Sequence, residues 1–243
     1  MKKKRLTGKQ ILLGALAVLL VLVLGLLVAF KVYTSDYYTM LPGTEDNLYL
    51  TVEMHTEGDL TIIGDPNAEK GLIFYPGAKV EARAYAPLLD RIAQEGYCCV
   101  LVEMPYHLAI LNSNAADEAM EAAPEVQQWY LAGHSLGGAT AAMYAADNPD
   151  KIAGLALLGA YSTKQLPETL PVLLMYGSED GVLNREKYDS CLANVPNSTE
   201  QVIEGGNHAG FGSYGPQKGD GEASITPEEQ WDITAKAITD WMQ

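Results

Sequence analysis

The sequence places one serine in a setting suited to nucleophilic catalysis. Ser135 stands within the motif GHSLG (residues 133–137), directly after the apolar run 129–132 and before the Ala-rich stretch 138–147. This order predicts a buried strand, a sharp turn and a helix. Glycines two positions before and after the serine allow a tight turn, and the start of a helix directs backbone N–H groups at developing negative charge. Ser135 is therefore the candidate nucleophile, with a flexible glycine-rich loop as the alternative.

A nucleophilic serine needs a general base, and the base needs a carboxylate that orients it. The histidines are His55, His107, His134 and His208. His208 is the candidate base because it alone follows both the serine and the end of an expected strand. Asp180 is the candidate acid because it closely follows the apolar run 172–176, and Glu179 is the second choice. The alternatives are a structural histidine and an aspartate that only shapes its turn.

An oxyanion that forms when such a serine attacks a substrate needs two N–H donors fixed in place. The backbone of Leu136, directly after the nucleophile, is expected to supply one. The second is expected from residues 76–78, which follow another apolar strand. Ala78 is the preferred donor there and Gly77 the second choice, because a glycine allows close backbone approach. A plain turn is the alternative for this loop.

Taken together, these residues resemble the α/β-hydrolase superfamily, and in particular small bacterial membrane-anchored serine hydrolases of the esterase or lipase type. The resemblance covers about residues 47–243. In that superfamily the acid and the histidine follow the serine in this order, so the resemblance implies a triad of Ser135, Asp180 and His208. It also implies an eight-stranded sheet and acyl transfer, usually ester hydrolysis, without a cofactor.

Three stretches depart from the usual pattern of that superfamily. Pro76-Gly77 stands where a His-Gly pair is usual, and residues 159–171 are too few for a helical cap. A glycine-rich loop, residues 209–224, follows the histidine instead, and its glycines predict a segment that gates or shapes the site. Within it, Phe211 and Tyr214 are candidate substrate-binding residues, with packing of the loop as the alternative.

Alternating apolar runs and helical stripes predict the elements that position these residues. Strands are expected at 48–56, 59–63, 71–75, 97–102, 129–132, 152–158, 172–176 and 200–204, and helices at 81–95, 108–123, 184–194 and 226–242, besides the helix after Ser135. Strands that alternate with helices at this spacing indicate an α/β fold with a mostly parallel sheet covered on both faces. The first two strands are expected to form an antiparallel hairpin.

The N-terminal region predicts a membrane anchor. Residues 11–30 carry no charge, and as a helix they match the thickness of a bilayer core. Five cations precede this segment and only Lys31 follows closely, which places the N-terminus in the cytoplasm. No good cleavage site follows, which favours an uncleaved signal anchor over a cleaved signal peptide or a buried helix. The expected organisation is a basic cytoplasmic segment (1–10), a single-pass transmembrane anchor (11–30), a juxtamembrane stalk (31–46) and an extracytoplasmic catalytic domain (47–243).

The rest of the chain is strongly acidic, because only 10 of the 16 cations but all 31 anions lie after Lys31. Such a domain repels nucleic acid and anionic surfaces. The expected partners are therefore a small-molecule ester or lipid substrate and, through the anchor, the membrane. Cys98 and Cys99 are expected to be buried free thiols, with one disulfide as the alternative. No cysteine or histidine spacing indicates a metal site, so no metal is expected.

The predicted function is hydrolysis of carboxylic esters through an acyl-enzyme on Ser135. A dienelactone-hydrolase-like enzyme is one alternative, but such enzymes typically carry a cysteine as the nucleophile, and Ser135 argues against it. A non-catalytic binding protein on the same fold is the other alternative, and the complete set of Ser135, Asp180 and His208 argues against it.

The charge asymmetry around residues 11–30 gives a topology that can be tested. Protease treatment of intact cells that express the full chain is expected to release the domain after the anchor, as detected by immunoblotting. A control protein with a known surface domain confirms protease access. Complete protection of this chain while the control is cleaved would contradict the predicted orientation.

Overall fold

The computed structural model describes residues 7–44 and 53–243, which fall into two compact units that meet between Tyr37 and Tyr38. The first unit is the helix α1, Gly8–Ser35, which begins with a reciprocal capping box between Thr7 and Gln10. The helix is long and apolar enough to cross a membrane, although an N-terminal signal sequence has the same properties. The cations at positions 2–5, on which the predicted orientation partly depends, lie outside the described residues.

Eight strands of the second unit form one sheet in the described part of the chain. They are β1 (Met54–Glu57), β2 (Leu60–Ile63), β3 (Lys70–Tyr75), β4 (Cys98–Val102), β5 (Gln128–His134), β6 (Gly154–Leu158), β7 (Val172–Gly177) and β8 (Ser198–Ile203). Their order is β1-β2-β4-β3-β5-β6-β7-β8. β2 pairs antiparallel with β1 and β4, and the other neighbours are parallel. This is the predicted mostly parallel sheet; the start of the first predicted strand, residues 48–52, lies outside the described residues.

Helices cover both faces of this sheet. One face packs against α2 (Ala86–Gln94) and α6 (Pro227–Trp241), and the other against α3 (Ala115–Ala122), α4 (Leu136–Asp147) and α5 (Arg185–Cys191). Alternation along β3 divides the core, because Leu72 and Phe74 point to the first face while Ile73 and Tyr75 point to the second. Apolar strands that are buried on both faces explain the continuous apolar runs in the sequence.

Two predicted helices are shorter than their sequence patterns indicate. The helix expected at 81–95 begins with a 3₁₀ turn, and α2 follows it. The helix expected at 108–123 is confined to α3, after two 3₁₀ turns. Leu108 (φ −130°, ψ 101°) and Asn112 (φ −142°, ψ 65°) have backbone conformations outside the helical region, which interrupts a right-handed helix.

The stalk predicted at residues 31–46 is divided between the two units as far as residue 44, and residues 45–46 lie outside the described residues. α1 takes up the first part of this segment, and the chain from Tyr38 onward belongs to the second unit. The Tyr38 N–H donates to the Lys79 carbonyl (2.7 Å), and the Leu41 N–H donates to the Ser213 carbonyl (2.9 Å). Backbone bonds of this kind leave no alternating pattern in the sequence, so the sequence alone indicates only a juxtamembrane stalk with little periodicity.

The described cysteines are all free thiols. Cys98 and Cys99 are fully buried in β4 and belong to opposite faces of the sheet, as the strand pattern predicts. Burial raises the pKa of Cys98 to about 11 and the pKa of Cys99 well above its usual value. Both thiols therefore act as small apolar side chains of the core.

Candidate active site

Ser135 lies at the sharp turn between β5 and α4. Its backbone has φ 53° and ψ −122°, a conformation that is strained for any residue with a side chain. A Cβ atom added to Gly133 would lie 2.6 Å from the Gly137 carbonyl carbon, and one added to Gly137 would lie 2.2 Å from the Tyr75 carbonyl oxygen. The two glycines are therefore required because backbone contacts backbone around the serine. Ser135 itself is only half-buried.

Asp180 and His208 meet at the ends of the last two strands, Asp180 after β7 and His208 after β8. The Asp180 Oδ2 and His208 Nδ1 atoms are 2.8 Å apart, and the two side chains are 0 % and 1 % exposed. Asp180 Oδ1 also accepts the N–H groups of Val182 (2.9 Å) and Leu183 (2.8 Å). Three donors thus compensate the buried carboxylate. The second-choice acid, Glu179, is exposed and accepts a hydrogen bond from a neighbouring serine.

Gly159, at the end of β6, packs directly against this pair. Its φ is 54°, and a Cβ atom there would lie 2.8 Å from His208 Nδ1 and 3.2 Å from Asp180 Oδ2. Any other residue would therefore push the carboxylate and the imidazole apart. The sequence does not indicate this role, because a single glycine after a strand gives no sign of what packs on it.

The structure brings Ser135 and His208 to the same edge of the sheet without a hydrogen bond between them. His134, next to the serine, has its ring centroid 4.4 Å from that of His208. His208 Nε2 is buried and has no hydrogen-bond partner among the residues that the structure describes. This nitrogen is therefore available to accept a proton. Hydrogen bonds between a catalytic base and its nucleophile often form or shorten only when a substrate binds.

A second buried network lies behind the serine. The Tyr85 hydroxyl accepts the Gly77 N–H (3.1 Å) and lies 2.8 Å from His134 Nδ1. Burial, and then the neighbouring His208, hold the pKa of His134 well below its usual value. The His134 ring is therefore neutral, and its Nδ1 can accept the Tyr85 O–H.

This network occupies the N–H of Gly77, the second-choice oxyanion donor. The Gly77 N–H is used by Tyr85, so it is not available to a substrate in this structure. The Ala78 N–H has no acceptor within residues 7–44 and 53–243. Leu136 is the first residue of α4, where an N–H has no acceptor within the helix. Both of these residues are half-buried, and Pro76 touches the start of α4, so the two N–H groups lie in adjoining segments.

Phe211 and Tyr214, the candidate substrate-binding residues, are packed in the core. Phe211 is fully buried with its ring centroid 5.4 Å from that of His134. Tyr214 is also buried and donates its hydroxyl to Gln217 (3.0 Å). Neither ring presents a surface to a substrate here, so the structure favours the packing alternative.

A cavity of about 530 Å³ lies beside the histidine loop, between residues 209–225 and the start of α6. The triad candidates Ser135, Asp180 and His208 do not line it. Within the described ranges, no group of three or more His, Cys, Asp or Glu side chains is arranged to hold a metal ion.

The Tyr85 network generates a stability prediction. Tyr85→Phe leaves the Gly77 N–H and His134 Nδ1 unpaired in the interior, so the free energy of unfolding is expected to fall by about 1–3 kcal/mol. Thermal unfolding of the full-length protein in detergent measures this change as a Tm lower by several degrees. Tyr161→Phe is the matched control, since the half-buried Tyr161 hydroxyl bonds to none of the described residues. Equal melting of the two variants would refute a role of the hydroxyl in stability.

Comparison with known proteins identifies the fold. Residues 71–232 match the model of the alpha/beta hydrolase family. Among solved structures, Est1E from Butyrivibrio proteoclasticus is similar with a TM-score of 0.55 at 17% identity, over 79% of this chain and 97% of that one. Naproxen esterase (carboxylesterase NP) from Bacillus subtilis has a TM-score of 0.59 at 12% identity, with coverage of 83% and 95%. Dienelactone hydrolase from Anabaena variabilis has a TM-score of 0.57 at 12% identity, with coverage of 79% and 97%.

A search of curated protein sequences finds no match to this chain. The solved structures are too distant in sequence to show more than a shared fold. The family model, however, covers two thirds of the chain, from the second residue of β3 into α6. With an eight-stranded sheet and a strained serine between β5 and α4, the chain belongs to the alpha/beta hydrolase family.

Proposed function

We propose that this protein is a serine hydrolase that cleaves carboxylic esters through an acyl-enzyme, with carboxylesterase- or lipase-like activity. The observation that carries the proposal is the 2.8 Å hydrogen bond between Asp180 and His208, which is shielded from solvent and lies at the same sheet edge as the strained Ser135. The esterases among the similar structures support an ester as the substrate class.

In the proposed reaction, the Ser135 Oγ atom attacks the ester carbonyl carbon and its proton passes to His208 Nε2. Asp180 holds the imidazole through Nδ1 and stabilises the imidazolium that forms. The tetrahedral intermediate then collapses, and the alcohol leaves with the proton from His208. Water, deprotonated by the same Nε2, attacks the acyl-enzyme and releases the carboxylic acid, which restores the Ser135 hydroxyl.

Backbone N–H groups stabilise the negative oxygen of both tetrahedral intermediates. We assign this role to Leu136 and Ala78, whose N–H groups are not used elsewhere in the described structure. The helix dipole of α4 adds to the field, because Leu136 is its first residue. Donors that are already fixed in place stabilise the charge without reorganisation during the reaction.

Access to Ser135 favours small or soluble esters. Residues 159–171, all of which the structure describes, contain no helix, so this segment supplies no helical cap.

We place the domain outside the cytoplasm, anchored by α1, which has the length and composition of a membrane span. The substrate would then be an ester that reaches the outer surface of the membrane.

The nucleophile is tested by Ser135→Ala. Hydrolysis of p-nitrophenyl esters by the full-length protein in detergent is expected to fall at least about 10⁴-fold, because the attacking oxygen is gone. Labelling by a fluorophosphonate probe is expected to disappear, while the Tm stays close to that of the parent protein. Ser190→Ala, which alters an exposed hydroxyl in α5, is the control. Full probe labelling of the alanine variant would remove Ser135 from the mechanism.

The Asp180–His208 contact is tested from the backbone side by Gly159→Ala. The added Cβ displaces the imidazole, and kcat is expected to fall about 100-fold because a displacement of about 1 Å has effects of that size. Gly58→Ala is the matched control, because Gly58 also has positive φ (58°) but nothing lies within 4 Å of its Cβ position. Both variants place an alanine at a similar positive φ, so steady-state kinetics separates the effect of positive φ from the displacement of the imidazole. Equal kcat values for the two variants would show that the contact is not needed.

A further inference from the structure

The glycine-rich loop after His208 carries an aspartate whose carboxylate is the meeting point of four backbone N–H groups. Asp220 Oδ1 accepts from Gly181 (3.1 Å), His208 (3.2 Å) and Gly221 (2.9 Å). Its Oδ2 accepts from Ala209 (2.8 Å). A carboxylate has about four acceptor sites, two on each oxygen, and four backbone donors approach this one.

Three of these donors belong to the loops that carry the proposed triad. Gly181 directly follows the proposed acid Asp180, and the other two are the N–H groups of His208 itself and of its neighbour Ala209. One side chain therefore holds the backbone on both sides of the Asp180–His208 hydrogen bond.

The glycines beside Asp220 bring it close to the acid loop. A Cβ at Gly221 would lie 2.0 Å from the Glu179 carbonyl oxygen, and one at Gly181 would lie 2.7 Å from the Gly219 carbonyl oxygen. Gly219 also has positive φ (90°). The Gly-Asp-Gly sequence thus allows the two loops to pack backbone to backbone, which puts the carboxylate within reach of both triad-bearing loops.

We propose that Asp220 is a positioning residue of this hydrolase: its carboxylate fixes the Asp180 loop and the His208 loop relative to each other, and so aligns the imidazole with Ser135. The proposal rests on the proposed function. It assigns the loop at residues 209–224 a clamping role instead of the gating role that its glycine content indicates.

The direct test replaces the carboxylate with an isosteric amide. Asp220→Asn keeps the shape but offers one acceptor oxygen in place of two, and its NH₂ group faces an N–H donor. The full-length variant in detergent is expected to lose kcat about 10- to 100-fold through misalignment of His208. KM is expected to change little, since Asp220 does not contact the reacting atoms. Glu222→Gln is the matched control. Glu222 lies two residues after Asp220, and its side chain is exposed and makes no hydrogen bond to the described residues, so this variant removes a charge without removing a contact.

The pH profile separates positioning from a loss of stability. The imidazole must be neutral to accept the serine proton, and a loosened Asp180 contact stabilises the imidazolium less. The acidic limb of the kcat/KM profile is therefore expected to move to lower pH in Asp220→Asn and to stay in place in Glu222→Gln. An unmoved limb would contradict an action through His208.

A double-mutant cycle with Asp180→Asn tests whether both residues act through the same pair. If Asp220 acts by aligning that pair, the double variant is expected to lose little more activity than Asp180→Asn alone. Losses that multiply fully would overturn the proposal, because Asp220 would then act elsewhere. Asp220→Glu, which keeps the charge but shifts the carboxylate by one methylene, is expected to reduce kcat as well. It serves as the second variant if the amide variant is unstable.

Hydrogen–deuterium exchange measures the clamp without any substrate. Peptides that cover residues 178–184 and 206–212 are expected to exchange faster in Asp220→Asn than in the parent protein. Unchanged exchange, or faster exchange with an unchanged kcat, would overturn the proposal. Failure of the parent protein to react with the fluorophosphonate probe or any ester would instead refute the proposed function and, with it, the positioning role.

Discussion

The turn at Ser135 depends on the close approach of three backbone segments. A Cβ on Gly137 would collide with the end of β3, and the Ser135 N–H donates to the Leu158 carbonyl (2.9 Å) at the end of β6. A residue held at positive φ costs of the order of 1–3 kcal/mol, so the surrounding packing must impose the conformation. The two strands that flank β5 impose it, and the loops that follow these strands carry Ala78 and Gly159. One steric constraint therefore fixes both the nucleophile and its surroundings.

The buried polar groups around this turn are arranged so that charge can appear on one histidine only. The Asp180 carboxylate is balanced by His208 and by two backbone N–H groups. His134, with its ring only 4.4 Å from that of His208, stays neutral because burial lowers its pKa and Tyr85 lies at Nδ1. A second cation at this distance would oppose the imidazolium that the proposed reaction requires. Because His134 stays neutral in the Tyr85 network, it does not oppose a positive charge on His208 when His208 accepts a proton.

Local patterns in the sequence predict most of the fold, because apolar runs and helical stripes are properties of neighbouring residues. The mostly parallel sheet, its hairpin and the helix after Ser135 are confirmed. The roles of Ser135, Asp180 and His208 stay predictions, which the GHSLG motif, position after a strand and the residue order of the superfamily together are enough to make. Gly159, Tyr85 and Asp220 could not be selected in this way, since their importance lies in contacts with residues distant in the chain. The segment from Tyr38 could not be assigned to the sheet domain for the same reason, because its backbone and side-chain contacts are with residues distant in the chain, such as Lys79 and Ser213.

The loop at residues 209–224 shows why glycine content alone does not decide between mobility and order. Glycine loses more conformational entropy on folding than any other residue, so an ordered glycine-rich loop needs compensating contacts. In this chain the absence of side chains lets Gly181 and Gly221 pack against opposing backbone, and the Asp220 carboxylate collects the N–H groups that this packing brings together. The same glycines that would permit motion in open solvent therefore make possible the contacts that prevent it. Order in the loop and alignment of the Asp180–His208 pair become a single property, since the same carboxylate holds both.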